Sequence, residues 1–312
     1  MTTIHPRLEG AIRVTATCLA PLSHGAFGES AGNATLIRRM TVVLASGMPR
    51  VPCVSGNALR GKLRREIMQD LLRRAGLLGE RSVTAALLPD EDAGKKGKRW
   101  DRLYAAVANG GHLEAAEAHV EPEEIRALRE LLPPLSVFGG ALYSWLLPGH
   151  MEVGVMWPRC RETIEGRVVS DAGKGGGGVS AEDLIEELSH CRHVDREHQD
   201  TELTGVTPMP TTFETFCTGT VLESLITFPL HATPEERGSI AHGLDLLRHL
   251  GGKSGSGLGV VDVVHDGDAA PYRAWLDSCG DLRERLVGLA ERLGARAEKP
   301  AKGGKKGKAA TA

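Results

Sequence analysis

From residue 10 the chain alternates. Ile12, Val14, Ala16 and Cys18 fall on one side of "GAIRVTATCLA", and mostly polar residues fall on the other. A period of two is that of a half-buried strand. An irregular Gly-rich piece, "SHGAFGESAGNA" (23–34), leads to "TLIRRMTVVLA" (35–45), which predicts a second strand. The period then changes. Leu59, Leu63, Ile67, Leu71 and Leu78 follow helical spacing and predict a long helix over 57–78, with Ser55 as its N-cap and Asn57 as the competitor. Downstream the pattern predicts a helical segment at 121–132, a strand at 151–157, a short helix at 181–188 and a strand at 218–228. Thr233-Pro-Glu-Glu236 carries a cap, a proline at the first helical position and a capping-box glutamate, so it opens a helix that runs to Leu250. A strand at 258–264 and one or two helices over 271–296 follow, and the basic tail 297–312 has the composition of a disordered segment.

With the inserted segments set aside, the order is strand, helix, strand, strand, helix, strand. That order predicts an α+β fold of the ferredoxin-like or RNA-recognition-motif kind, an antiparallel sheet of four strands with two helices. At 312 residues and 41% hydrophobic, the chain is long and apolar enough to build such a core with insertions. The net charge of −2 excludes a protein that is basic all over and leaves room only for a local basic path. The cysteines at 18, 53, 160, 191, 217 and 279 form no Cys-x-x-Cys pair and read as reduced thiols. No apolar run approaches the ~20 residues of a membrane span, and no signal peptide is recognised, so a cytoplasmic protein is expected.

The chemistry gathers in two places. "PCVSGNALRGKLRR" (52–65) puts Arg60, Lys62, Arg64 and Arg65 into the opening turns of a helix. Cations there oppose the helix dipole, so they suit either a solvated face or an anion held by the free N–H groups of the helix start. "GGKSGSGLG" (251–259) is the second place. It lacks the first glycine of the Walker pattern, since Leu247 stands there, and it follows a helix where a phosphate loop would precede one. A nucleoside-triphosphate site is not expected. A helix-terminating turn accounts for its first two glycines, and the remaining small residues suit close approach of a sugar-phosphate chain. "HCRHVDREH" (190–198) groups His190, Cys191, His193 and His198, but no spacing matches a standard zinc motif, and no metal is expected. With 4% aromatic residues the strands offer no base-stacking platform, so any nucleic-acid binding would rest on phosphate contacts.

These residues resemble a known family. "PCVSGNALRGKLR" is similar to the Pro-x-Ile-Pro-Gly-Ser-Ser-Leu-Lys-Gly-x-Leu-Arg signature of the RAMP superfamily of CRISPR proteins, with Cys53-Val54 standing where a proline usually precedes the glycine. "GGKSGSGLGVV" resembles that superfamily's C-terminal glycine-rich loop, and "LSHGAFGESAGNATLIRRM" and "TPMPTTFETFCTGTVLE" extend the match. Within the superfamily the layout is most similar to the backbone (Cas seven-group) subunit of type IV. The resemblance implies an RNA-recognition-motif palm (8–80 and 215–268), a helical finger insertion (82–150) and a thumb hairpin (190–214), followed by the C-terminal helices. It implies a class 1 subunit that multimerises helically along a crRNA guide and presents it for pairing with a target nucleic acid, beside other effector subunits. His24, Asn33, Arg38, Arg39, Ser55, Gly56, Asn57, Arg60, Arg64, Lys253, Ser254, Gly255 and Ser256 would hold the RNA, and Met209 and Thr211 would lie at the thumb. RNA-cutting type III relatives carry an aspartate where Asn33 stands, and an amide cannot act as a base or metal ligand as a carboxylate does. The expectation is a non-cleaving subunit without cofactor. The alternative is a type III-like guide-directed endoribonuclease using His24, Glu29 or a carboxylate not yet placed.

Overall fold

The structure, a computed structural model, describes residues 10–31, 34–76, 110, 122–142, 145–169, 178–190, 211–286 and 288. Asn33, Met209 and most of the expected thumb and finger lie outside these residues. The fold is α+β, its strands pairing antiparallel except for one parallel pair in the second sheet (Thr212↔Ala34), and the chain divides into two compact units. The first comprises Met1–Leu63, Glu152–Phe228 and Leu244–Gly267, and the second the remainder.

The first unit is built on β1 (Ile12–Cys18), whose buried residues are the four read from the alternation. Strand β1 pairs antiparallel with β12 (Val221–Thr227) through Thr15↔Glu223 and with β13 (Val261–His265) through Thr15↔Val264. The far edge of β12 takes two short strands, β8 (Glu152–Val153) and β9 (Trp157–Pro158). The sheet order is β13-β1-β12-β8, with β9 also on β12. The single strand expected at 151–157 is divided because Met156 leaves the edge and bridges Val54 instead. Helix α1 (Gly56–Arg74) follows that bridge and begins in this unit.

A second sheet in the same unit is formed by β2 (Gly25–Ala31), β3 (Ala34–Ile37), β10 (Ile185–His190) and β11 (Thr211–Phe216), in the order β10-β11-β3-β2. Two sequence expectations change here. The helix expected at 181–188 is one 3₁₀ turn, Glu182–Leu184, followed by β10, because six residues from Ile185 to His190 pair in register with β11. The strand expected at 35–45 breaks at Arg38, whose N–H donates to the His24 carbonyl (2.9 Å) and whose carbonyl accepts from Cys53 N–H (2.9 Å). Pairing thereby passes from β2 to β5 (Arg50–Pro52), which forms a hairpin with β4 (Arg39–Thr41). Val42 and Val51 of this hairpin join Cys160 and Ala181 in a small satellite core beside α4 (Arg161–Glu165).

The second unit contains the rest of α1, then α2 (Pro122–Leu131), α3 (Pro133–Phe138), the hairpin β6 (Gly140–Leu142) to β7 (Trp145–Leu147), most of α5 (Pro234–Leu246), and α6 (Ala270–Ser278). Thr233 caps α5 as its sequence predicts: Glu236 N–H donates to Thr233 Oγ1 (3.2 Å) and Thr233 N–H donates to Glu236 Oε2 (3.1 Å). Ile67, Met68, Leu71 and Leu72 bury the apolar face of α1. Buried beside them, Asp70 binds Arg74 Nε (2.7 Å) and the His242 ring (3.0 Å), and that ring lies 5.4 Å from the Tyr272 ring.

Candidate nucleic-acid interface

Four consecutive residues assemble the candidate interface, each by a bond to a different part of the first unit. Pro21 O accepts from Gly259 N–H (2.8 Å), Leu22 exchanges backbone bonds with Phe216, Ser23 O accepts from Gly252 N–H (2.8 Å), and the His24 ring reaches Ser55. This segment therefore joins the glycine-rich loop to the start of α1. The two motifs that the sequence places about 200 residues apart are brought to one short stretch of chain, a distance no local pattern could announce.

The helix start is capped as expected. Ser55 Oγ accepts from Ala58 N–H (3.3 Å), while Ser55 N–H donates to His24 Nε2 (3.2 Å). Donation to Nε2 requires that nitrogen to be unprotonated, so His24 is a neutral acceptor here. Burial, and then the nearby Arg38 charge, push its pKa below the usual histidine value. Gly56 has a steric reason: a Cβ there would collide with the Val153 carbonyl oxygen. Asn57 is exposed, and the first turn of α1 holds no acidic residue.

Arg38 and Arg39 part company. Arg39 makes a two-pronged ion pair with Glu214 (Nη1–Oε2 2.7 Å, Nη2–Oε1 2.9 Å), and Glu214 Oε2 also accepts Ile37 N–H (2.8 Å). The Arg39 hydrogen bonds hold the Glu214 carboxyl below its ordinary range. Arg39 of β4 is thus neutralised by Glu214 of β11. Arg38 lies beside His24, and its Nε is buried with no acceptor among the described residues. Sequence reasoning missed Glu214, although a carboxylate between Phe213 and Phe216 in a half-buried strand signals a cation partner.

Arg60 lies half-buried on α1. Arg64, one turn on, belongs to the second unit, where its Nη2 donates to the Gly139 carbonyl and its guanidinium lies 5.3 Å from the Phe138 ring centroid. Within that unit Arg64 is engaged at the C-terminal end of α3.

The glycine-rich loop leaves α5 through Gly251, whose φ is +72° and whose Cβ would strike the Ser23 carbonyl oxygen, so the tight approach requires glycine. Ser254–Ser256 then make one 3₁₀ turn with Ser254, Gly255 and Ser256 exposed. The chain continues to β13. No helix begins at this loop, so it lacks the N-terminal donors of a nucleotide phosphate loop. Lys253 precedes the turn at φ +60°, with Nζ 3.9 Å from the centroid of Phe213. Thr211 begins β11 and is exposed, opposite His190 in register. His190 stacks on Phe213; residues 191–198 of the His/Cys group lie outside the described residues. Among the described residues no three His, Cys, Asp or Glu side chains converge on a metal position, and no helix is long and apolar enough to cross a membrane.

No protein-family model matches the chain, and no curated protein matches it. Among solved structures, a chain described as "Type IV-B CRISPR Complex" superposes with a TM-score of 0.54 at 20% identity, covering 82% of this chain and 90% of that one. The crystal structure of Thermofilum pendens Csc2 aligns at 18% identity with a TM-score of 0.40, covering 91% of this chain and 76% of that one. The chain shares its fold with a subunit of a type IV-B CRISPR complex, in agreement with the resemblance carried by the motifs at 52–64 and 251–261.

Proposed function

We propose that this chain is the guide-RNA-binding backbone subunit of a type IV-like class 1 CRISPR ribonucleoprotein. The observation that carries the reading is an excess of donors over acceptors at one corner of the first unit. The acid-free first turn of α1, Arg38, whose Nε has no acceptor among the described residues, and the exposed turn Ser254–Ser256 are tied together by Pro21–His24. A phosphodiester would supply acceptors to the helix start and the exposed turn and balance the Arg38 charge without presenting a base edge, so binding is blind to sequence. The order of the main sheet supports an RNA-recognition-motif palm, and β10 with β11 would form the base of the thumb hairpin, with Thr211 at its start and Met209 just beyond. Repeated copies along one guide, with other effector subunits at the ends, would present it for target pairing. Asn33 in place of an acid favours holding over cutting.

The test measures binding of single-stranded RNAs of unrelated sequence across a salt series. Arg38→Ala should weaken all of them alike and lower the slope of log affinity against log salt by about 0.7, the value for one phosphate no longer neutralised. Unchanged affinity and slope would refute the interface. Assembled protein mixed with guide-complementary RNA and Mg²⁺ should leave that RNA intact; cuts at regular spacing would establish the endoribonuclease reading.

A further inference from the structure

Lys253 stands apart from the other cations of the interface. Lys253 is exposed, yet its ammonium lies 3.9 Å from the centroid of the Phe213 ring, which is fully buried in β11. Its backbone occupies the left-handed region that a residue with a Cβ seldom adopts (φ +60°, ψ +27°). Arg167 is the one other non-glycine residue with positive φ among the described residues. The same ring carries His190 stacked at 5.3 Å and 25°, so strands β10 and β11 and the glycine-rich loop meet on one aromatic side chain. The turn that follows is closed by Ser256 N–H to Lys253 O (2.9 Å) and Gly257 N–H to Ser254 O (3.0 Å). Lys253 therefore carries, at the head of this exposed turn, its contact with β11.

We propose that Lys253 is a positioning residue: its ammonium, seated on Phe213, anchors the glycine-rich loop to the β10–β11 hairpin and does not itself neutralise a phosphate. An ammonium over a ring face is held by the ring quadrupole, and the attraction strengthens as the ring is removed from water. The Lys253–Phe213 pair fixes Ser254–Gly257 against β11, so a strand lying on the loop is set in register with the hairpin. This role in RNA binding rests on the function proposed above; the anchoring itself does not.

Two measurements on the full chain separate them. Without RNA, amide hydrogen exchange at 252–257 should quicken at least tenfold in Lys253→Met and in Phe213→Leu, and should return close to wild type in Lys253→Arg, which restores a cation over the ring. With single-stranded RNA, Lys253→Met should lose roughly tenfold in affinity while the salt slope stays at the wild-type value, in contrast to Arg38→Ala. A Lys253→Met slope reduced by about 0.7 with unchanged loop exchange would overturn the proposal and make Lys253 a phosphate ligand. Unchanged exchange with unchanged affinity would overturn it as well. If the wild type binds no RNA, the proposed function fails, and the exchange result still decides whether Phe213 anchors the loop.

Discussion

His24 and Glu214 each hold one cation-bearing turn in place, and each imposes a sign on how stability follows pH. His24 is favoured in its neutral form, so its folded pKa lies below 6.5. Between 6.5 and that lowered value the unfolded chain binds more protons, and the His24 contribution declines as the medium is acidified. Glu214 has a depressed carboxylate pKa, so its contribution is present above 4.5 and is lost as pH falls through the lower folded value. Urea melts from pH 8 to pH 4 should therefore show a first loss of stability beginning near 6.5, absent in His24→Ala. That variant should itself cost about 1–3 kcal/mol at pH 8 by leaving Ser55 N–H without its acceptor. Glu214→Gln should cost about 2 kcal/mol, below the cost of a fully buried pair because both side chains are one-fifth exposed or more. The cysteines match this picture of an interior sealed against chemistry. Burial raises the Cys18 thiol to about 12 and the Cys53 thiol to about 11, so both should resist alkylation in the folded protein at pH 8.

At the scale of elements, α1 is the most exacting. Its start must accept the Val153 carbonyl against Gly56, so Gly56→Ala should destabilise by about 1–3 kcal/mol through overpacking. Thr233→Ala at the head of α5 should cost about 1 kcal/mol with no change in RNA binding, read in the same melts. Both helix starts were legible because caps and stripes are written within a few residues of the element they define. The main strands were legible too, since Ile12 to Cys18 alternate without interruption. Two features of the fold escaped because their cause lies elsewhere along the chain. "AEDLIEEL" looks helical until β11 offers Ile185–His190 a full antiparallel partner. Arg38 interrupts an apolar run because His24 and Cys53 claim its peptide groups. At the interface, Arg38, Ser55 and the serine loop were visible as types suited to an anion. The sequestration of Arg39 by Glu214 and of Arg64 by Gly139 was not visible, because adjacent like charges in a sequence say nothing about which already has a partner.

For the whole molecule, the near-neutral charge means that the polynucleotide affinity proposed above would come from a few sites and not from a general field. Arg60→Ala and Arg64→Ala should therefore behave differently despite sharing a helix. The first should reduce RNA retention in a salt-dependent way, measured by filter binding. The second should lower the melting transition, because Phe138 and Gly139 are deprived of their guanidinium, and leave the salt slope unchanged. The stretch Pro21–His24 carries a consequence for how such a molecule can vary over time. Three of its four links run through main-chain atoms, so the side chains there could be exchanged within the limits set by the buried Leu22 and Ser23 and by the His24 ring, while the architecture survives. Adding or deleting a single residue would throw all four links out of step at once. Descendants of this chain should thus diverge here by substitution at constant length, and a one-residue insertion between 21 and 24 should be a more damaging lesion than most amino-acid replacements at those positions.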